Sequence, residues 1–166
     1  MAKRGRPPGW LLDPDQPGPV HREALWIDAR GRMTLPAVAR ERTSWLADGG
    51  QKLTLFVCED RGRGKLLPWD PYGQRVLDRR QDLLSAPQTS EVIEQILEFE
   101  DRYLKQSIES KGRVNLSEMA LTHLEIRESL PTYVIIISHS DIIEIWTNIY
   151  RSARKVRELH IFEDLP

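Results

Sequence analysis

The sequence predicts an α+β fold made of two tandem copies of one β-hairpin/helix/β-hairpin unit, and three observations predict it. First, "WIDARGRMTLP" (Trp26–Pro36) aligns without a gap over "SIESKGRVNLS" (Ser107–Ser117) at a constant offset of 81 residues. Second, Lys52–Tyr72 echoes Pro131–Tyr150 and sets Trp69 opposite Trp146. Third, both copies run through the same order of alternating apolar residues, glycine turn, short helix and paired β-branched runs, which is what a duplicated unit requires.

Each element has a local reason. Alternating residues around 25–27 and 33–35 flank a glycine, the signal of a hairpin. Pro36 suits the first helical position, where its missing N–H costs nothing, and Ser117 is expected to N-cap the equivalent helix. Two strands follow in each copy, Leu53–Cys58 with Lys65–Trp69 and Tyr133–Ser138 with Ile142–Trp146. A second helix closes each copy, over about Tyr72–Leu84 and Asn148–Leu159. Between the copies, Ser90–Gln106 carries Val92, Ile93, Ile96, Leu97, Tyr103 and Leu104 at helical spacing behind a Thr89 or Ser90 cap. Its acidic face is expected to point away from any nucleic acid. The expected organisation is an extended, mobile basic and proline-rich arm (1–20), a first repeat (21–86), a bridging helix (87–106), a second repeat (107–160) and a tail (161–166).

The formal net charge of −1 conceals an asymmetry. Residues 1–65 hold twelve Lys/Arg against eight Asp/Glu, and residues 66–166 hold twelve against seventeen. A basic face on such a chain can still bind a polyanion, because charge acts locally within a screening length of about 10 Å at 0.1 M salt. No apolar run approaches the roughly 20 residues of a membrane-spanning helix, the longest being Tyr133–Ile137. A cytoplasmic location is therefore expected, with no membrane partner, and a nucleoid-associated one if the chain binds DNA. Cys58 stands alone, and His21, His123, His139 and His160 lack metal-site spacing. No nucleophile, metal cluster or phosphate loop has a recognised spacing, so neither enzymatic activity nor a cofactor is expected.

The candidate chemistry lies in Asp28-Ala29-Arg30-Gly31-Arg32. With Gly31 at positive φ, Arg30 and Arg32 project as a pair, able to hold phosphates or to present planar donors to guanine O6 and N7. Asp28 can orient Arg32 by a charged hydrogen bond, or accept from the turn's amides. Solvated turn chemistry would explain one such motif, but a turn does not need flanking cations. The second copy keeps them at Lys111 and Arg113, around Gly112 and behind Glu109. Arg-Gly-Arg occurs twice more. At Arg61–Arg63 the preceding Glu59 and Asp60 cancel most of its charge, which reads as a plain turn. At Lys3-Arg4-Gly5-Arg6-Pro7 the string resembles an AT-hook core, suited to a narrow minor groove, or is a solvated tail.

"LWIDARGRMTLPAVARER" resembles the start of the MraZ family, within the AbrB/MazE/MraZ group of swapped-hairpin, double-split β-barrel DNA-binding proteins. The likeness spans about residues 20–160 and rests on a duplicated D-x-x-x-R signature, met here by Asp28 and Arg32. It implies a sequence-specific transcriptional regulator, typically a repressor, that reads short direct repeats in double-stranded DNA as a ring-like homo-oligomer. It also implies DNA contacts at Arg30, Arg32, Lys111 and Arg113. Glu109 and Ser117 depart from the pattern, standing for a second Asp and a proline-like helix start, and the arm before residue 20 is a further departure. A divergent paralogue controlling other genes is consistent with them. Two further readings remain: a MazE-like antitoxin, which predicts one motif and a disordered tail, and an oligomeric interaction protein without DNA binding, which predicts loss of the cations.

Overall fold

Eight antiparallel strands form in the computed structural model, which describes residues 19–153, and β-branched or alternating apolar residues build them. Lys3, Arg4, Arg6 and the tail lie outside the described residues. The strands are β1 (His21–Ile27), β2 (Arg32–Thr34), β3 (Lys52–Cys58), β4 (Arg63–Pro68), β5 (Tyr103–Ile108), β6 (Arg113–Asn115), β7 (Thr132–His139) and β8 (Ile142–Trp146). Helix α1 (Ala37–Glu41) follows β2 and α4 (Glu118–Leu124) follows β6. Helices α2 (Trp69–Ser85) and α3 (Ser90–Arg102) link the halves, and residues 148–153 are helical.

All eight strands belong to one sheet in the order β1-β7-β8-β4-β3-β5-β6-β2. Its two ends meet at the turn between β1 and β2, where the Asp28 N–H donates to the Arg32 carbonyl at 3.0 Å. The sheet is thus a nearly closed barrel, filled by Phe56, Leu66, Ile136, Ile143 and Ile145, each 0% exposed. Exchanging β1 for β5, β2 for β6, β3 for β7 and β4 for β8 returns the same cyclic order. The halves are therefore related by a pseudo-twofold axis. They interleave, because β1 pairs with β7, β3 with β5, β2 with β6 and β4 with β8. The axis runs through the β2–β6 pair on one wall and the β4–β8 pair on the opposite wall.

Three boundaries differ from the sequence reading. Pro36 stands one position earlier than expected, as the N-cap of α1. The helical run expected to reach Gln106 stops at Arg102, because Leu104, Gln106 and Ile108 alternate inward and pair with β3. Trp146 is not the counterpart of Trp69: it lies within β8 opposite Arg63, and the second-half helix matching α2 begins at residue 148. Ser117 does cap α4, its hydroxyl accepting from the Ala120 N–H at 3.2 Å.

The corner from β6 into α4 depends on a buried amide. Gln106 donates to the Asn115 carbonyl at 2.8 Å, and its Oε1 accepts the Ser117 N–H at 3.3 Å. The matching residues in the first half, by the offset of 81, are Leu25 and Pro36. Proline has no N–H to satisfy, so an apolar residue serves there. This pairing generates a prediction. Gln106→Leu should lower stability by about 1–3 kcal/mol through the orphaned amide and carbonyl. Adding Ser117→Pro should make the double variant more stable than the two single losses sum to, as read from urea unfolding in a double-mutant cycle.

Candidate nucleic-acid interface

The short β2–β6 ribbon places the candidate residues. Its register sets Arg32 opposite Asn115, Met33 opposite Val114 and Thr34 opposite Arg113. Met33 and Val114 are sunk in the core, 4% and 1% exposed, so period-two alternation sends their neighbours outward. Arg32, Thr34, Arg113 and Asn115 therefore share the outer face, with the two arginines on a diagonal about the pseudo-twofold axis. The ladder continues symmetrically beyond both strands: the Leu35 N–H donates to the Gly112 carbonyl at 2.8 Å, and the Leu116 N–H to the Gly31 carbonyl at 3.0 Å.

Both turn glycines are required for two reasons. Gly31 and Gly112 have φ of +79° and +77°, a region that penalises other residues. A Cβ on Gly31 would also lie 2.9 Å from Leu121 of α4, and one on Gly112 would lie 2.5 Å from the Arg40 side chain of α1. Arg40 and Leu121 are themselves 81 residues apart, so each turn is seated beneath the equivalent position of the other half's short helix.

The first turn is organised by Asp28. Its Oδ1 accepts the Arg30 and Arg32 backbone N–H groups at 2.9 and 3.0 Å, while Oδ2 accepts the Arg32 Nε–H at 2.9 Å. Both roles considered for this carboxylate are filled at once. The backbone donor from Arg32, with that of Arg30 and the guanidinium, holds the Asp28 carboxyl below its ordinary value of 3.8. Neither Nη group of Arg32 has a protein partner among the described residues.

The second turn keeps the backbone frame and replaces the rest. Glu109 N–H still donates to the Arg113 carbonyl at 2.7 Å, and Gly112 N–H to the Glu109 carbonyl at 3.1 Å. The Glu109 carboxylate, expected to orient this turn, makes no hydrogen bond to it. Lys111 enters the left-handed region at φ 64°, and its N–H donates instead to the Gly49 carbonyl at 3.2 Å. Of the two amides that Asp28 serves in the first turn, the counterpart of the Arg30 amide is served here by a neighbouring loop. Among the described residues Arg30, Lys111 and Arg113 have no acidic partner, and all three are exposed.

A groove of about 650 Å³ runs along the ribbon, lined by Asp28, Arg32, Glu109, Arg113 and Asn115, with Leu25 and Trp26 at one rim. Trp26 is 48% exposed and meets Tyr133 edge-on at a centroid distance of 4.7 Å. Thr34, Asn115 and Trp26 were not singled out from the sequence. The first two could have been found by stepping two residues beyond each arginine along its strand.

The other basic string among the described residues is structural. Arg61 pairs with Glu125 at 2.6 Å, and Arg63 with the buried Glu144 at 2.5 Å. His123 bonds the Asp60 and Arg63 carbonyls, His21 pairs with Glu23, and His139 with Glu144. No helix among the described residues is long and apolar enough to cross a membrane.

Fold and site together define a duplicated, nearly closed antiparallel barrel with a cation-bearing two-stranded ribbon on one wall. No protein-family model matches the chain, and no curated protein matches it.

Titration reads the first turn directly. The Asp28 pKa is lowered by folding, so its contribution to order in the first turn is present above 3.8 and is lost as pH falls through the folded value. The Arg32 Nε–H resonance should therefore shift with a midpoint below 3.8 when followed by NMR.

Proposed function

We propose that the chain is a sequence-specific DNA-binding regulator that inserts the β2–β6 ribbon into the major groove. One observation carries the reading: Arg32 and Arg113 stand diagonally on a two-stranded face whose opposite side is anchored in the core by Met33 and Val114. A major groove about 12 Å wide admits a two-stranded ribbon, and arginine is the usual reader of guanine O6 and N7. On this reading Arg30 and Lys111, at the tips of the turns, meet phosphates on either side.

The cyclic strand order and the exchange of strands between halves support the double-split barrel type implied by the MraZ resemblance. On this reading the protein acts as a repressor on short repeated sites. Self-association into a ring sets several ribbons along one DNA, and the arm at Lys3, Arg4 and Arg6 adds minor-groove contacts. Around the ribbon four cations face two carboxylates, Asp28 and Glu109, so the excess positive charge is modest. An accessory basic arm suits such a face.

Arg30→Ala with Arg32→Ala should weaken binding to a selected site by roughly 100-fold or more while leaving the oligomer and the fold intact. Unchanged affinity in a salt-controlled titration would refute the assignment. Deleting residues 2–9 should reduce the salt dependence of binding by up to about 0.9 in log–log slope for each phosphate that the arm neutralises. The loss of affinity should be larger on A/T-flanked sites, and equal losses on both kinds of flank would remove the minor-groove role.

A further inference from the structure

The pseudo-twofold ribbon is symmetric in backbone and unequal in side-chain restraint. Arg32 is held at Nε by a carboxylate that is itself fixed by two backbone amides, which leaves the two Nη groups as a preset fork. Arg113 has no such partner, its turn is fastened through the Gly49 carbonyl to Lys111, and Glu109 makes no bond to the turn. The rims differ as well. Half-exposed Trp26 borders the groove on its β1 side, level with Thr34, and the matching position in the second half is Ser107.

A guanidinium held in one geometry loses little freedom on pairing with a base edge and discriminates sharply between bases. An unrestrained one follows the nearest phosphates. An apolar rim adds contact with a thymine methyl on the first side only. We infer that the two turns read DNA unequally: the Arg32 turn specifies base sequence in one half of the site, and the Arg113 turn binds mainly the backbone in the other. Asp28 is then a positioning residue for specificity. This rests on the DNA-binding reading above and adds to it a lopsided operator, which the near-symmetric sequence of the two motifs would not suggest.

Asp28→Asn separates the clamp from the turn. The amide Oδ1 can still accept the Arg30 and Arg32 amides, but a donor replaces the oxygen that accepted the Arg32 Nε–H. The full-length protein is used to select sites from random DNA, and affinities for the selected site and its base-substituted versions are measured. The expected wild-type result is one strongly specified half-site beside a degenerate one. Asp28→Asn should reduce base discrimination in the specified half from about 5- to 150-fold to within about 2-fold. Non-specific affinity should not fall, since a negative charge has been removed, whereas a merely structural defect would lower both.

Single alanine variants give a second measure on exposed positions. Arg32→Ala should abolish discrimination, and Arg113→Ala should weaken all sequences about equally and reduce the salt slope by about 1. Equal information in both half-sites, equal losses of discrimination from Arg32→Ala and Arg113→Ala, or an unchanged profile in Asp28→Asn would each overturn the inference while leaving DNA binding intact. Selection of no sequence by the wild type would instead refute the DNA-binding reading, and the inference with it.

Discussion

Pairing of β2 with β6 is the constraint on which the rest of the structure depends. Each strand has three residues, too few to persist without a partner, and the partner comes from the other half of the chain. That pairing sinks Met33 and Val114 into one core, turns both arginines outward, and brings the ends of the sheet close enough to make a barrel. It holds only because both turns reverse at a left-handed glycine beneath a helix of the opposite half. A side chain at Gly31 or Gly112 would meet both the φ penalty and the side chain of Leu121 or Arg40, so either substitution strains the turn and displaces a side chain of the opposite half.

The opposite wall uses polar chemistry to the same end. Arg63 of β4 donates to Glu144 of β8, with His139 and Trp146 as further donors to that carboxylate. Burial pushes the Glu144 carboxyl up, but the donors outweigh it and the net direction is down. Its support is therefore complete above the ordinary value of 4.5 and is lost as pH falls through the folded value. Arg63 also lies over the Trp146 and Tyr150 rings, 5.8 and 5.4 Å from their centroids. The same three letters, Arg-Gly-Arg, thus join strands on this wall and leave exposed guanidinium donors on the other. The difference lies in which acids the fold brings to them.

What was legible in the sequence follows from this division. Turns, helix starts and strand pairs depend on residues a few positions apart, so the offset alignment revealed Gly31 with Gly112 and the Ser117 cap. The acidic neighbours of Arg61 and Arg63 pointed to a plain turn, whereas the acids that hold these arginines, Glu125 and Glu144, stand 64 and 81 residues away in the sequence. Cross-half pairing was not legible, because a three-residue alternating run carries no mark of its partner. Thr34 and Asn115 were missed for that reason, although each stands two residues past an arginine. The end of α3 was misjudged because Val92–Leu104 fits helical spacing while Leu104, Gln106 and Ile108 also fit a strand. Only the neighbouring β3 decides between them.

The two halves have diverged where a backbone amide could change its partner. At the helix entry, Pro36 removes the N–H that Ser117 keeps, and the residue beneath is Leu25 in one half and Gln106 in the other. At the turn, the Arg30 N–H is taken by Asp28 and the Lys111 N–H by the Gly49 carbonyl. In each case the buried or constrained donor is satisfied and the backbone path is kept, so the barrel is indifferent to the exchange. The side chains are not. Once Gly49 serves the Lys111 amide, the acid at position 109 no longer has to sit within reach of the turn, and Arg113 loses the group that would have held it. Asymmetry on the outer face is therefore compatible with full symmetry in the core, because the glycines that fix the fold and the carboxylate that fixes the arginine are separate residues.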